Sequence, residues 1–273
     1  MQGCTGRADA ARVEEAALNA TAVPEQILYD GWLPRWAASK VRRARSINVI
    51  GVSRLPLDEK LAFCQGLYAR AGQPMIFRIT SSSPTPDLDA ALGARGYHRT
   101  DTTDVMTAAI PAHLPAATPA GLGYELISHD AFAAVTGALR AYALEHIQEH
   151  ARRLQTISVP TLPLLARTSD GTPAAAGLAV IEGPYAGLFD LVVDARMRRR
   201  GYGRALARNL MARAHAMGAG VAYLQVEAAN TTARTLYESL GFTDLYAYWY
   251  RVPPNNCPAG AAGEEAPDGN EET

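Results

Sequence analysis

The run Arg198-Arg199-Arg200-Gly201-Tyr202-Gly203-Arg204 holds the residue types that most directly suggest chemistry. Two glycines stand among four arginines, and an alanine- and leucine-rich segment follows at once. Glycine lets the main chain approach a ligand closely and take left-handed turns. The first N–H groups of a helix have no partner inside it, and the helix dipole puts positive potential there. A glycine turn that opens a helix is therefore an anion site, and the arginines add charge at its rim. Such a turn suits a diphosphate without saying which one.

Three other chemistries compete for these residues or their neighbours. A nucleic-acid surface draws cations from several elements and adds base-reading side chains. The formal net charge is −1, so no nucleic-acid partner is expected. A dinucleotide fingerprint needs a third glycine, where Leu206 stands, and an acid about 20 residues on. The third is metal: His146-Ile147-Gln148-Glu149-His150 puts two histidines on one helix face. No third ligand is placed for it, so no metal is expected, and a hydrolase built on His146 and His150 stays as the minor alternative.

The elements that would position the turn follow from periodicity. "GLFDLVVD" (Gly187 to Asp194) reads as the strand that feeds it. "GRALARNLMARAHAMG" reads as the helix, with Leu206, Leu210 and Met217 in its stripe and Gly218 as its stop. "VAYLQVE" is a strand, "TTARTLYESLG" a helix ending at Gly241, and "YAYWYRV" a closing strand. Upstream, "HDAFAAVTGALRAYALEH" reads as a single helix. "TLPLLARTSDGTPAAAGLAVIEG" reads as two strands joined at Asp170-Gly171, a strong hairpin signal. The expected fold class is α/β with a sheet of mixed direction. Leu67 to Thr80 echoes Arg213 to Glu227, with Gly72 set on Gly218 and Gly96 near Gly241. The two halves thus read as copies of one unit, the first without the glycine pair.

"PAHLPAATPAG" (111–121) reads as a linker. Residues 253–273, rich in Pro, Gly and acid with no aromatic, read as a disordered tail. The expected domains are 1–110 and 122–252. Hydrophobic residues make up 48% of the 273 and charged ones 19%, as in soluble globular proteins. The three cysteines, Cys4, Cys64 and Cys257, suggest neither a disulfide framework nor a metal knuckle. The first 20 residues lack the apolar core of a signal peptide, and no run of about 18 apolar residues exists. A cytoplasmic protein that does not enter membranes is the expectation.

The wider pattern is more specific. Val193 opens V-x-x-x-x-R-x-x-G-x-G, and Asn230 to Phe242 reads N-x-x-A-x-x-L-Y-x-x-x-G-F. With the helix and strand between them, these resemble the GNAT superfamily of acyl-CoA-dependent N-acetyltransferases over about 122–252. The first half resembles a degenerate relative of the same fold, as in tandem members. The resemblance implies a mixed, mostly antiparallel sheet flanked by helices, in two related lobes. It implies acetyl-CoA as cosubstrate and acetyl transfer by direct attack of an amine in a ternary complex. The acceptor would be a small-molecule or peptide amine, and the protein a monomer or homodimer.

Site residues carry over by position. The turn Arg198, Arg199, Arg200, Gly201, Tyr202, Gly203 and Arg204 would hold the coenzyme A diphosphate. Leu191, Val192 and Val193 would lie beside the pantetheine and acetyl group, with a main-chain N–H between Asp190 and Val193 facing the thioester oxygen. Asn230 would meet the cofactor or cap its helix. Tyr237 would protonate the departing thiolate, since a phenol near pKa 10 and a thiol near 8.5 exchange a proton at small cost. Asp190 and Glu227 are the candidate general bases. The first half, with Leu92 near the place of Tyr237, is expected to bind no acetyl-CoA. Its basic Lys40 to Ser46 reads as a solvated edge, with contact to an acidic substrate or to the cofactor 3′-phosphate as the alternatives. A non-catalytic acyl-CoA-binding module is the alternative reading.

Overall fold

The computed structural model describes residues 3–39, 41–114, 119 and 121–254. Much of the segment expected as a linker, all but two residues of the expected tail, and Cys257 lie outside them. The elements in chain order are α1 (Gly3–Asn19), β1 (Trp32–Pro34), β2 (Ile47–Val49), α2 (Leu57–Ala71), β3 (Phe77–Thr80), α3 (Leu88–Ala94) and β4 (His98–Ala109). Then come β5 (Leu122–Leu126), α4 (His129–Leu139), α5 (Leu144–Gln155), β6 (Thr161–Thr168), β7 (Pro173–Glu182) and β8 (Tyr185–Val193). The chain closes with α6 (Tyr202–Ala216), β9 (Val221–Glu227), α7 (Thr231–Glu238) and β10 (Thr243–Val252). It is a mixed α/β fold, and most strand pairs with a defined register are antiparallel.

Two compact units divide these elements. One comprises 3–22 and 104–245, the other 23–103 and 246–254. In the first, strands run in the order β4-β9-β8-β7-β6-β5. The pairs β5–β6, β6–β7 and β7–β8 are antiparallel and β8–β9 is parallel. β7 and β8 are buried along nearly their whole length, the signature of strands covered on both faces. Helix α6 lies close on β7. A Cβ on Gly177 would come within 3.0 Å of Leu210 Cδ1 and 3.2 Å of Leu206 Cδ2. Leu206, Leu210, Leu224, Tyr237 and Phe242 belong to one apolar core.

The second unit orders its strands β1-β2-β3-β10, with β2–β3 parallel and β3–β10 antiparallel, Tyr248 facing Thr80. Its core gathers Trp32, Ile47, Tyr68, Phe77 and Leu92. The internal echo has a local counterpart. Gly72 after α2 and Gly218 after α6 both take positive φ, as do Gly96 after α3 and Gly241 after α7. Only glycine makes such a stop at no steric cost.

Two expectations need correction. The segment read as a single helix is two, α4 and α5, with Ala141 at φ +54° between them. The helices pack at Gly137, where a Cβ would run into the Ile147 side chain. Apolar periodicity continues through Tyr142 and hides this break. The basic segment is not a solvated edge either. Residues Arg42–Arg45 form a short 3-10 turn in which Arg43 is buried and Arg42 pairs with Asp101.

Candidate active site

The site is built on β8, the turn after it, and helices α6 and α7. At the turn, Arg199 takes φ +62° and Gly201 φ +78°. Left-handed residues alternating with ordinary ones turn successive N–H groups to one side and make an anion-binding nest. Gly201 is also the N-cap of α6, and it offers no side chain to cap it. Ala205 N donates to Gly201 O at 3.0 Å, the first bond of the helix ladder. The N–H groups of Tyr202, Gly203 and Arg204 precede that ladder. A Cβ on Gly201 would meet nothing within 4 Å, so conformation and not space asks for glycine there.

The charge around this turn is informative. Helix starts normally carry Asp or Glu, which the dipole favours. The first turn of α6 has no acidic residue and carries Arg204, whose Nη2 donates to Ser239 Oγ at 2.7 Å. Positive side chains on a positive helix pole raise the energy of the free protein and are relieved by an anion. A cavity of about 1050 Å³ opens here, large enough for an extended cofactor. It is lined by Val193, Arg198, Arg199, Gly201, Tyr202, Gly203 and Arg204 on one side, and by Glu227, Ala229, Asn230, Thr232 and Leu236 on the other. Cavity size, nest and cation set fit coenzyme A.

Asn230 caps α7, its Oδ1 accepting from Ala233 N at 2.9 Å. Arg234, one turn on, pairs with Asp104 and, at 3.0 Å, with Asp244 Oδ2, which holds α7 in place. Tyr237, on the same helix, is fully buried against Phe242 and is not among the residues lining the cavity. Its hydroxyl has no hydrogen-bond partner among the described residues. An unpaired buried hydroxyl costs roughly 1–3 kcal/mol. Burial pushes its phenol well above the usual tyrosine value, against a smaller opposing pull from Arg140. The group is therefore a neutral hydrogen-bond donor.

The strands around the cavity part. β8 and β9 pair from Tyr185↔Val221 to Leu188↔Leu224, and no register continues beyond. Across the other edge, Ala176 faces Val192 and Leu178 faces Phe189. Asp190 and Leu191 thus stand opposite the single residue Gly177, which is a β-bulge. Asp190 takes φ +53°, a left-handed conformation that costs a non-glycine residue roughly 1–2 kcal/mol. Leu191 and Val192 are buried beyond it and, unlike Val193, do not line the cavity. Arg200 is exposed and does not line it either.

The two candidate bases have different surroundings. Glu227 ends β9 past its last pairing with β8 and lines the cavity. The Asp190 side chain is only 11% exposed. His150 Nε2–H donates to its Oδ2 at 3.1 Å, and Arg140 Nη1 lies 3.4 Å from its Oδ1. Burial alone would raise this carboxyl, but His150, Arg140 and Arg153 outweigh it and hold the group well below the usual carboxylate range. Asp190 is thus a poor proton acceptor. With His150 engaged, His146 Nε2 lies instead 3.5 Å from Glu145 Oε1. Among the described residues no group of three or more His, Cys, Asp or Glu side chains could hold a metal ion.

Sequence reasoning missed Ala229, Thr232 and Leu236 as lining residues, and the part played by Arg140 and His150. One signal was available: Asp190 is the lone charge inside an otherwise apolar strand. Among the described residues no helix is long and apolar enough to cross a membrane.

Comparison with known proteins bears on the family and the fold. Residues 132–242 match the family model described as Acetyltransferase (GNAT) family. A [Ribosomal protein bS18]-alanine N-acetyltransferase from Escherichia coli is 38% identical over 77 residues, 28% of this chain and 52% of that protein. The enzyme of that name from Salmonella typhimurium is 38% identical over 80 residues, 29% and 54%. The chain therefore spans about half the length of the curated relatives it matches. Among solved structures, a GCN5-related N-acetyltransferase from Kribbella flavida superposes with a TM-score of 0.64 at 16% identity, covering 93% of this chain and 97% of that one. A tandem GNAT protein from the clavulanic acid biosynthesis pathway gives 0.61 at 16% identity, covering 89% and 94%. These two likenesses concern the fold. Residues 132–242 of this chain are a domain of the GNAT acetyltransferase family.

Proposed function

We propose that this protein transfers the acetyl group of acetyl-CoA to an amine, with one active site in the unit that holds β8, α6 and α7. The observation that carries this reading is the cavity between the Arg198–Arg204 turn and the start of α7. Its nest, uncapped helix start and arginines suit the charge and length of an extended diphosphate. Bound there, acetyl-CoA supplies the acyl group as a thioester.

The N–H groups of Tyr202, Gly203 and Arg204 hold the diphosphate, and Arg198, Arg199 and Arg200 add long-range attraction at its rim. Val193 packs beside the pantetheine arm, with Leu191 and Val192 supporting it from the strand. The bulge in β8 turns main-chain N–H toward the thioester oxygen, where a preorganised donor is worth roughly 10²–10³ in rate. Asn230 keeps α7 capped through Oδ1 and offers its amide N–H to the cofactor. Glu227 takes the proton that the amine loses as its nitrogen bonds to the acyl carbon and the carbon–sulfur bond breaks. The Tyr237 hydroxyl is the donor assigned to the departing sulfur, and because it lies behind the cavity lining, side chains between them must give way as acetyl-CoA binds. Burial raises its pKa, so the phenol stays protonated and full transfer to a thiolate costs more than between a free phenol and a free thiol. Its main part is a hydrogen bond to the charge that develops on sulfur.

The acceptor is a small-molecule or peptide amine. The curated relatives are named for acetylating an alanine of a ribosomal protein, which favours a peptide amine as the first acceptor to test. The test is release of free thiol from acetyl-CoA with a panel of peptide amines, polyamines and amino acids. Amine-dependent release with a mass gain of one acetyl group on the acceptor supports the proposal. Binding of acetyl-CoA with no transfer to any amine would favour a non-catalytic acyl-CoA module.

A further inference from the structure

The bulge in β8 poses a question of its own. Where one strand residue of a bulge must be left-handed, glycine is the usual choice. Here the position holds Asp190, at φ +53°. An aspartate gives up conformational ease in exchange for a side chain that other elements can grip. Two elements do so. His150, from α5, donates to Oδ2 at 3.1 Å, and Arg140, between α4 and α5, approaches Oδ1 at 3.4 Å. The three side chains are 8–11% exposed, so the grip works with little screening by water. Helices α4 and α5 thus reach the one point of β8 at which it leaves its partner strand.

We infer that Asp190 is a positioning residue whose carboxylate, held by His150 and Arg140, fixes the left-handed bulge of β8 and thereby aims its main-chain N–H at the thioester oxygen. The inference rests on the proposed acetyl-CoA reading and departs from the sequence expectation that Asp190 is a base. The break between α4 and α5 gains a purpose, because it turns Arg140 back toward β8.

The two roles make opposite forecasts for a set of substitutions. A base needs a carboxylate, so Asn, Gly and Val should all be equally inactive. A positioning residue needs the left-handed bulge. Asp190→Asn keeps an oxygen for His150 and tolerates positive φ, and Asp190→Gly takes that φ without a grip. Asp190→Val loses the grip and resists the conformation.

The direct readout is the infrared stretch of the thioester carbonyl of acetyl-CoA labelled with carbon-13 at that carbon, bound to each full-length variant. In the wild type the band should lie below its position in free acetyl-CoA, because a hydrogen bond weakens the C=O bond. Asp190→Asn should keep more than half of that shift. Asp190→Gly, which permits the conformation without the grip, should lose more than half, and Asp190→Val should lose nearly all of it. His150→Leu should lose an intermediate part, since Arg140 still holds the carboxylate. Coenzyme A affinity, read by calorimetry on the same samples, should stay within about threefold for all four and shows that they are folded. A shift that Asp190→Val retains, that Asp190→Asn loses as fully as Val, or that Asp190→Gly and His150→Leu both keep in full, overturns the inference. Failure of the wild type to bind acetyl-CoA would instead overturn the cofactor reading beneath it.

Discussion

His150 Nε2–H reaches 3.1 Å to Asp190 Oδ2 and ties helix α5 to the distorted point of β8. The pairing holds the Asp190 carboxyl below its ordinary range. A carboxyl depressed in the folded state stabilises above its unfolded value near 4 and loses that contribution as pH falls below it. The melting-temperature deficit of Asp190→Asn should therefore be full at pH 6–7 and shrink as pH drops below about 4. A deficit that does not change with pH would mean that the carboxylate's charge contributes nothing.

Gly201 takes φ +78° in open space. Gly201→Ala is thus a purely conformational insult of roughly 1–2 kcal/mol. Melting should fall by a few degrees. The strain displaces the N–H groups of the turn, and acetyl-CoA affinity should fall about tenfold. Differential scanning fluorimetry with and without acetyl-CoA reads both.

Tyr237→Phe removes a buried hydroxyl that has no partner among the described residues. The free protein should be no less stable, because deleting an unsatisfied polar group relieves its desolvation cost. Turnover should fall at least tenfold while acetyl-CoA affinity changes less than threefold. A clear loss of stability would show that the hydroxyl has a structural partner.

The regular elements were legible in the sequence, and the departures from regularity were not. The Asp170-Gly171 hairpin, the stop at Gly218 and the turn before α6 each rest on glycine, whose conformational role can be read locally. Arg199 and Asp190 are left-handed without being glycine. Asp190 stands out only as the one charge of an apolar strand, which says nothing of its conformation, and nothing local marks Arg199. The partners around Asp190, Arg140 and His150, lie 50 and 40 residues away in the chain. The α4–α5 break escaped for the same reason, being fixed by the packing of Gly137 on Ile147. Motif spacing placed Asn230 at the cavity. Burial of Tyr237 away from the cavity lining depends on tertiary packing that spacing does not encode.

Asn230 has two roles that substitution can separate. Asn230→Ser keeps a helix cap and removes the amide, whereas Asn230→Ala removes both. Thermal stability should be near wild type for Ser and lower by about 1 kcal/mol for Ala. Both should weaken acetyl-CoA binding by a similar factor. Full affinity in Asn230→Ser would reduce the residue to a cap.

Calorimetric titration of the full chain with acetyl-CoA tests the central claim most directly. The account predicts binding at one site per chain, with affinity that falls as salt rises because arginines and a helix pole hold a diphosphate. It also predicts competition by coenzyme A and loss of affinity in Gly201→Ala. Absence of binding, or tight binding indifferent to both salt and Gly201→Ala, would contradict it.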